Sequence, residues 1–355
     1  MIKQLLFVMI LLILVCVIYN KLYFSQKNNL TKLKINSSLI EFNKMRKEID
    51  KMLEISLSED IKDVNLLNLT KYSMDGGKRV RGIIISSIVF KNMKNKNPII
   101  IKAVNNAILC IEYIHCSSLI LDDIMDEDCI RRKKPSLYSK YGIPMAQLTA
   151  LNLLSLAFKR LTIYIESIQS LNGVNPNLPF LVLNELSEKL NKLAMGQYFD
   201  VINSNDLPKI GKVIKNNLKM STEEIIKNKT SSLFELSYFM SLIIIKYTKS
   251  NEELLKSYQE VTKVADSFGM IFQIADDFED LEQDKIHNGK NIIMNYPLNK
   301  GLVTGYTDYH KYVDQFNKLS NKLSNKLNMN TEQIKEIVLY LSEKVNKYYK
   351  FHLKK

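Results

Sequence analysis

Apolar positions follow one another along this chain in long periodic segments with few interruptions. Glycine and proline, which break such segments, number only 11 and 7 in 355 residues. Two of the most apolar segments end in acidic clusters, within residues 112–135 and 268–285. Segments of this length favour helices over short strands, so the pattern predicts an all-α chain.

The first acidic cluster closes the segment EYIHCSSLILDDIMDEDCIRRKKP. On a helix Asp122 and Asp126 share one face a turn apart, and two bare carboxylates about 4 Å apart repel by roughly 1–4 kcal/mol. A positive charge is therefore expected beside them. Oxygen ligands without cysteine or histidine suit a hard cation such as Mg²⁺, which takes one or two carboxylates and completes its shell from water and phosphate.

The second acidic cluster repeats the spacing DDxxD at Asp276, Asp277 and Asp280, again directly after an apolar run. A single DDxxD is compatible with a solvated acidic turn. Two of them, each at the end of an apolar helix, indicate facing carboxylate clusters. Such clusters would hold several Mg²⁺ ions, and the ions would hold a diphosphate.

The N-terminal pattern predicts a membrane anchor. Residues 5–19 are unbroken apolar or aromatic positions, so we expect a transmembrane helix over residues 1–24 and a polar, lysine-rich linker over residues 25–38. The alternative, a cleaved signal peptide, lacks a small-x-small cleavage site. Four lysines after the span outnumber Lys3 before it, so the positive-inside rule places residues 39–355 in the cytosol of a single-pass protein.

The net charge of +13 raises the question of an anionic partner. The lysines are spread over the whole chain without aromatic interleaving, so nucleic-acid binding is not expected. A positive field would instead attract anionic diphosphates or an anionic membrane. The cysteines have no paired metal-ligand spacing, which indicates a reducing compartment without disulfides: Cys16, Cys110, Cys116 and Cys129.

Two groups of cations are candidate phosphate ligands. In the segment DGGKRVR, which ends at Arg81, paired glycines allow close backbone approach and three cations follow. Alone, this segment is typical of a helix cap with a basic turn, but beside two carboxylate clusters it indicates a second anion site. Arg131 and Arg132 follow the first acidic cluster, where they are either salt-bridge partners of the acids or phosphate ligands.

Taken together, these motifs resemble the trans-isoprenyl diphosphate synthases over about residues 40–350, most closely the type that makes geranylgeranyl diphosphate. The resemblance implies a single-domain helical bundle of the isoprenoid synthase type with a central cavity, and a homodimer. It implies that both acidic motifs bind three Mg²⁺ ions through Asp122, Asp123, Asp126, Asp276, Asp277 and Asp280.

The resemblance also assigns substrate contacts. Arg131 resembles the arginine on the allylic side, and the isopentenyl diphosphate side is matched by Lys78, Arg81, His115 and Arg132. Residues around the allylic substrate are matched by Gln197, Lys229, Thr230, Gln273, Lys290 and Lys300. Direct participation in catalysis is expected of Asp122, Asp126, Lys229, Thr230, Gln273 and Asp276.

The implied reaction joins isopentenyl diphosphate to an allylic diphosphate, namely dimethylallyl, geranyl or farnesyl diphosphate. Ser118 lies one turn before Asp122 on the same face, and Ser117 is beside it. In the family, aromatic residues at this level stop growth at farnesyl length. Two serines therefore predict growth to twenty carbons or beyond, and the hypothesis is a geranylgeranyl diphosphate synthase.

Several alternatives remain open from the sequence. A longer-chain polyprenyl diphosphate synthase and a non-catalytic, membrane-anchored regulatory subunit of such a synthase are two of them. A class I terpene cyclase is disfavoured because DDFED lacks the second metal motif of that class, and a charge-driven nucleic-acid or lipid-headgroup binder is the last. The anchor also resembles a membrane-anchored branch in large DNA viruses, so we expect an endoplasmic-reticulum-type membrane, or a host membrane if the protein is viral.

Overall fold

The computed structural model divides the chain into two units, Met1–Lys44 and Met45–Lys355. The residues it describes are 37, 39–93, 97–203, 220–286, 295–327 and 329–353. In the first unit, the described residues are helical. The predicted membrane anchor and all but one residue of the predicted linker lie outside the described residues.

The second unit is built almost entirely of helices. Residues 45–60 are helical and are named α1. The later helices are α2 (Val64–Met74), α3 (Val80–Asn92), α4 (Pro98–Asp126), α5 (Leu137–Tyr141), α6 (Ile143–Gln169), α7 (Leu178–Asn203), α8 (Thr222–Ile226), α9 (Ser232–Lys246), α10 (Asn251–Ile286), α11 (Tyr296–Lys300), α12 (Leu302–Leu327) and α13 (Glu332–His352). A π-helical turn, Lys227–Ser231, joins α8 to α9. The predicted all-α class is confirmed.

A short antiparallel hairpin follows α4 and is absent from the predicted pattern. Its strands are β1 (Ile130–Arg131) and β2 (Lys134–Pro135), with Arg131 paired to Lys134. Arg132 and Lys133 form the turn with φ of 53° and 64°. Two left-handed residues suit the twist of a tight hairpin, although glycine or asparagine is the usual choice there.

Helix α4 delivers the first acidic cluster because of how it begins and ends. Asn97 accepts a hydrogen bond from the Ile99 amide at 2.9 Å, and Pro98 occupies the first turn. The helix is apolar on nearly all sides and packs most extensively against α6. It ends at Glu127, a left-handed cap with φ of 58°. The acids therefore lie in its last turn, where the buried run meets solvent.

Helix α9 forms the centre of the core. Every residue from Ser232 to Ile244 is buried, and the helix packs against α3, α4, α7 and α10. Phe234 of α9 meets Phe268 and Phe272 of α10 edge-on, with ring centroids 4.9 and 5.4 Å apart. An all-round apolar helix of this kind requires neighbours on every side. It fixes α4, α7 and α10 around the turn that precedes it.

Two helices in the described residues, α4 and α6, are long and apolar enough to cross a membrane by length and composition. In α4, 72% of the most apolar window is buried inside the protein, as expected for a core helix. In α6 the corresponding share is 50%, so half of its apolar window faces outward.

Candidate functional site

The first acidic motif lies at the end of α4 and is held by two cations. Lys229 Nζ of the π-helical turn lies 2.7 Å from Asp122 Oδ1 and 3.9 Å from Asp126 Oδ2. Arg131 of the hairpin donates from Nε to Asp123 Oδ1 at 2.6 Å, and its Nη2 lies 3.7 Å from Asp122. The hairpin and the π-helical turn therefore bring both cations to one face of α4.

A third element, α7, adds a carboxylate that the sequence reasoning missed. Lys229 Nζ lies 2.6 Å from Asp200 Oδ2, so one ammonium group serves acids from α4 and α7. Burial alone would lower the pKa of Lys229, but Asp122, Asp200 and Asp126 outweigh burial and raise it above its usual value. The signal in the sequence was weak: Asp200 ends GQYFD, an acid directly after an apolar stretch.

The π-helical turn also reaches the second acidic motif. Thr230 Oγ1 donates to Gln273 Oε1 at 2.8 Å, and Gln273 Nε2 donates to Asp277 Oδ1 at 2.8 Å. Lys229 and Thr230 are consecutive. A single turn therefore contacts the first motif through Lys229 and is linked to the second motif by the hydrogen bond from Thr230 to Gln273. The two DDxxD motifs, distant in sequence, therefore lie on either side of this turn.

Two glycines allow the neighbouring helices to approach the turn closely. A Cβ at Gly196 of α7 would lie 2.7 Å from the Lys229 amide nitrogen. A Cβ at Gly269 of α10 would overlap the Ser231 side chain. Glycine is required at both places because the backbones of α7 and α10 pack directly on the π-helical turn.

Within the second motif the three aspartates differ in surroundings. Asp276 accepts from Lys78 Nζ at 2.6 Å, and Asp280 is exposed. Asp277 is buried and accepts two hydrogen bonds, from Gln273 and from the Tyr296 amide at 2.9 Å. Both oxygens of Asp277 are thus engaged by the protein, and its predicted role as a metal ligand stays a prediction.

Burial and neighbouring acids affect the carboxylates of the site. Burial, together with Asp122, raises the pKa of Asp126 to about 8. Burial raises the pKa of Asp277 to about 8 despite its hydrogen bonds. Asp122 is the exception, since Lys229 and Arg131 overcome the effect of burial and lower its pKa. Additional positive charge would favour the ionised forms.

This donor set fits magnesium in its chemistry. The acids supply only oxygen ligands, and a bound cation would favour the ionised form of Asp126, whose pKa is raised by burial and by Asp122. Among the described residues, however, no group of three or more acidic, histidine or cysteine side chains converges as a ready-made metal cage. Lys229, Arg131 and Lys78 each pair with a carboxylate of the two acidic motifs.

The cations predicted to form a second anion site lie beside Asp276, at the start of α3. Arg81 is buried, its Nη1 lies 3.1 Å from His115 Nε2, and its guanidinium covers the ring of Phe234 at 4.4 Å. Burial and Arg81 lower the pKa of His115 well below its usual value, so the ring is neutral and accepts from Arg81. Burial lowers the pKa of Arg81 to about 10, and its Nε makes no hydrogen bond within the described residues.

Arg132 borders this second anion site. Its Nη1 donates to the backbone oxygen of Asp75 at 2.7 Å, and its side chain packs on Gly76. The hairpin is fastened to the same loop by Lys134, whose Nζ lies 3.0 Å from Asp75 Oδ2. Lys78, Arg81, His115 and Arg132 thus lie at or beside the loop that precedes α3, and their role in binding isopentenyl diphosphate stays a prediction.

The other predicted residues are placed less centrally. Gln197 follows Gly196 on α7, and its Nε2 is buried without a hydrogen-bond partner in the described part of the chain. Lys300 lies 3.7 Å from Glu223 of α8, and Lys290 falls outside the described residues. Ser117 is buried and donates to the Ala150 backbone of α6 at 2.8 Å, and Ser118 donates to the His115 backbone at 2.8 Å.

Comparison with known proteins gives one family. Residues 63–341 match the model of the polyprenyl synthetase family. A farnesyl diphosphate synthase of Buchnera aphidicola is 31% identical over 271 residues, 72% of this chain and 84% of that protein. A short chain isoprenyl diphosphate synthase of Methanocaldococcus jannaschii is 30% identical over 233 residues, 65% of this chain, and the chain spans only 62% of its length.

Further relatives are named for several different prenyl products. A trans-prenyltransferase of African swine fever virus is 26% identical over 245 residues, 67% of each chain. Others of similar identity are named geranylgeranyl and octaprenyl diphosphate synthases. Among solved structures, an FPP/GFPP synthase from Zymomonas mobilis has a TM-score of 0.63 at 20% identity, covering 85% of this chain and 99% of that one. That likeness shows a shared fold.

Proposed function

Since the chain belongs to the polyprenyl synthetase family, we propose that it is a magnesium-dependent trans-prenyltransferase. It would condense isopentenyl diphosphate with an allylic diphosphate to give geranylgeranyl diphosphate. The observation that supports this best is the π-helical turn, whose Lys229 lies on the first acidic motif and whose Thr230 leads through Gln273 to the second. Acids from two distant helices thereby flank one group of phosphate-binding donors.

The acidic motifs would hold magnesium, with three ions expected, through Asp122, Asp123, Asp126, Asp276, Asp277 and Asp280. When bound, magnesium would neutralise the diphosphate and the charge that develops as it departs. The chain's own cations add to this neutralisation. Lys229 and Arg131 lie against the first motif and Lys78 lies against the second. Each can donate hydrogen bonds to phosphate oxygens.

The second anion site would bind the diphosphate of isopentenyl diphosphate. Arg81 is buried without a carboxylate hydrogen bond among the described residues, and Lys78 and Arg132 border the same loop. A neutral His115 and the Phe234 ring hold the Arg81 guanidinium in one orientation. The two substrates would then lie side by side, with their reacting carbons away from water.

The reaction itself requires no protein nucleophile. The allylic carbon–oxygen bond breaks and its electron pair leaves with the diphosphate. The double bond of isopentenyl diphosphate attacks the resulting carbocation, and loss of a proton restores a double bond. The protein contributes orientation, charge neutralisation and a site that excludes water.

Product length would depend on the residue one turn below Asp122. Ser118 shares the face of Asp122, whereas Ser117 points to the α6 backbone and is 4% exposed. Of the two predicted chain-length residues, Ser118 is therefore the better placed to border a growing hydrocarbon. Its small side chain supports growth past farnesyl length, and a longer polyprenyl product is the second candidate.

Homodimerisation is supported by α6. Apolar residues at successive outward positions of this helix are exposed, among them Leu148 (55%), Leu151 (65%) and Phe158 (45%). An exposed apolar stripe of this kind is typical of an interface, and a second copy of the chain would cover it. Sedimentation of the detergent-solubilised protein would measure the oligomeric state. The N-terminal anchor, with the catalytic unit on the cytosolic face, remains part of this proposal.

The test is product analysis of the full-length protein in detergent. Radiolabelled isopentenyl diphosphate would be supplied with dimethylallyl, geranyl or farnesyl diphosphate, with Mg²⁺ or with EDTA. We expect Mg²⁺-dependent geranylgeranyl diphosphate, and we expect Asp122→Asn and Asp276→Asn each to abolish it. Full turnover by either variant would refute the proposed site. A folded wild-type protein without activity would instead support the regulatory-subunit alternative.

A further inference from the structure

The three cations of the segment from Lys78 to Arg81 contact different partners. Lys78 reaches Asp276, and Arg81 lies between His115 and Phe234. Arg79, between them in sequence, pairs instead with Asp50 and Glu112 and is 5% exposed at its side chain. The segment therefore combines two predicted phosphate ligands with one arginine that is bound to other parts of the protein.

Arg79 is fastened by three separate acceptors. Its Nε donates to Asp50 Oδ1 of α1 at 2.7 Å, its Nη1 lies 3.3 Å from Glu112 Oε2, and its Nη2 donates to the Met74 backbone oxygen. The residue itself has a left-handed backbone, with φ of 55°, directly before α3. A non-glycine residue adopts that conformation at a cost, so the contacts of its side chain must stabilise it.

Glu112 connects this fastening to the start of α3. It is 2% exposed, and while Oε2 takes Arg79, Oε1 accepts the Gly82 amide at 3.2 Å. Arg81 lies between the two attachment points, Arg79 and Gly82, and Lys78 directly precedes the first of them. One carboxylate on α4 thus holds the segment on both sides of Arg81.

Two glycines fit this arrangement closely. A Cβ at Gly77 would lie 2.5 Å from Arg79 Nη1, so the guanidinium folds back over a position without a side chain. A Cβ at Gly82 would lie 2.8 Å from Ile108 and 3.4 Å from Glu112 Oε1. Gly77 therefore leaves space for the Arg79 guanidinium, whereas Gly82 leaves space mainly for Ile108 and Ile49, with Glu112 in ordinary contact.

We propose that Glu112 is a positioning residue, which with Arg79 and the Gly82 amide fixes the backbone that presents Lys78 and Arg81 to the diphosphate of isopentenyl diphosphate. The proposal rests on the proposed function for the identity of that substrate. Glu112 touches neither substrate nor metal in this arrangement. Its effect is to hold Lys78 and Arg81 at fixed positions relative to each other.

The test is Glu112→Gln, which preserves shape but not charge. An amide presents one oxygen and one NH₂, so whichever way it turns, Arg79 or the Gly82 amide loses its acceptor. We expect the KM for isopentenyl diphosphate to rise about tenfold or more, with the KM for the allylic substrate within about twofold of wild type. Steady-state kinetics with each substrate varied in turn would measure both.

A matched control is Glu235→Gln. Glu235 is an equally buried carboxylate, 3% exposed at its side chain, that pairs with Lys189 and Lys192 of α7. Glu235→Gln should lower Tm about as much as Glu112→Gln does and leave the KM for isopentenyl diphosphate unchanged. A folded Glu112→Gln protein with an unchanged KM for isopentenyl diphosphate would overturn the proposal, as would equal effects on both KM values.

Two further measurements keep the test decisive. If Glu112→Gln does not fold, Arg79→Lys carries the test, since a lysine cannot reach Asp50, Glu112 and the Met74 carbonyl together, and the same selective rise is expected. If the wild-type protein is inactive with isopentenyl diphosphate, the proposed function fails and calorimetric binding of inorganic pyrophosphate replaces KM. Weaker pyrophosphate binding by Glu112→Gln than by Glu235→Gln would support the positioning role, and equal binding would overturn it.

Discussion

Replacement of Lys229 by methionine tests whether one ammonium group joins acids from α4 and α7. Lys229 lies 2.7 Å from Asp122, 2.6 Å from Asp200 and 3.9 Å from Asp126. Methionine keeps most of the side-chain volume and removes the charge. The three carboxylates would then face one another without their shared cation.

The magnitude follows from the burial of the partners. Removal of one member of a fully buried ion pair costs about 3–5 kcal/mol. Here the side chains of Asp122 and Asp200 are 13% and 10% exposed and that of Lys229 is 28% exposed, so we expect a smaller cost, about 2–3 kcal/mol. For the unit Met45–Lys355 this loss corresponds to a Tm decrease of roughly 3–5 °C.

The assay is a double-mutant cycle with Asp200→Asn, read by thermal and urea unfolding. Asp200→Asn in the Lys229→Met background should restore part of the lost stability, because it removes one of the unpaired carboxylates. We expect a coupling free energy of about 1–2 kcal/mol. Mg²⁺ should raise the Tm of Lys229→Met more than that of wild type. Additive effects of the two substitutions, within about 0.5 kcal/mol, would refute the shared-cation arrangement.

Three further predictions concern single positions. Ser118→Phe should shift the main product from geranylgeranyl to farnesyl diphosphate in chromatography of the labelled products, and an unchanged profile would contradict the proposed role of Ser118 in limiting product length. Burial and Glu235 raise the pKa of Asp266 from 3.8 to about 7, so the stability that this group contributes is present below about pH 4 and is lost as pH rises through 7. Asp266→Asn should therefore raise Tm at pH 8 and have little effect at pH 4; the same change in Tm at both pH values would argue against a raised pKa of Asp266. Gly269→Ala should lower both Tm and kcat, because its methyl group would displace Ser231 and the π-helical turn; full activity would show that the turn tolerates movement.

The acidic half of the site was predictable because it lies on regular helices. Asp122 and Asp126 share a face by helical geometry alone, and the apolar run before them makes α4 a core helix. The same reasoning applies to Asp276 on α10. Asp200 escaped prediction because a lone acid at a helix end has no repeat to distinguish it from a solvated residue.

The cations of the site lie instead where regular backbone is interrupted. Lys229 is in a π-helical turn, the Lys78–Arg81 segment contains a left-handed residue at Arg79, and Arg131 precedes two left-handed residues in the hairpin. Hydrophobic periodicity carries no information about such interruptions, since each depends on contacts with distant elements. The sequence therefore predicted which cations are present, and only the fold shows which acid each one meets.

There is a physical reason why the acids lie on regular helices and the cations lie where regular backbone is interrupted. A regular helix places side chains on its surface at fixed intervals, so it can present a row of like charges but cannot converge several opposite charges on one point. Convergence requires backbone that leaves the helix, and each such departure must be stabilised by its own contacts: Gly196 and Gly269 around the π-helical turn, Asp75 at the hairpin, and Glu112 behind Arg79. Residues of this second kind touch no substrate in the proposed reaction. Their substitution should nevertheless change substrate binding selectively, and the comparison of Glu112→Gln with Glu235→Gln separates this effect from a general loss of stability.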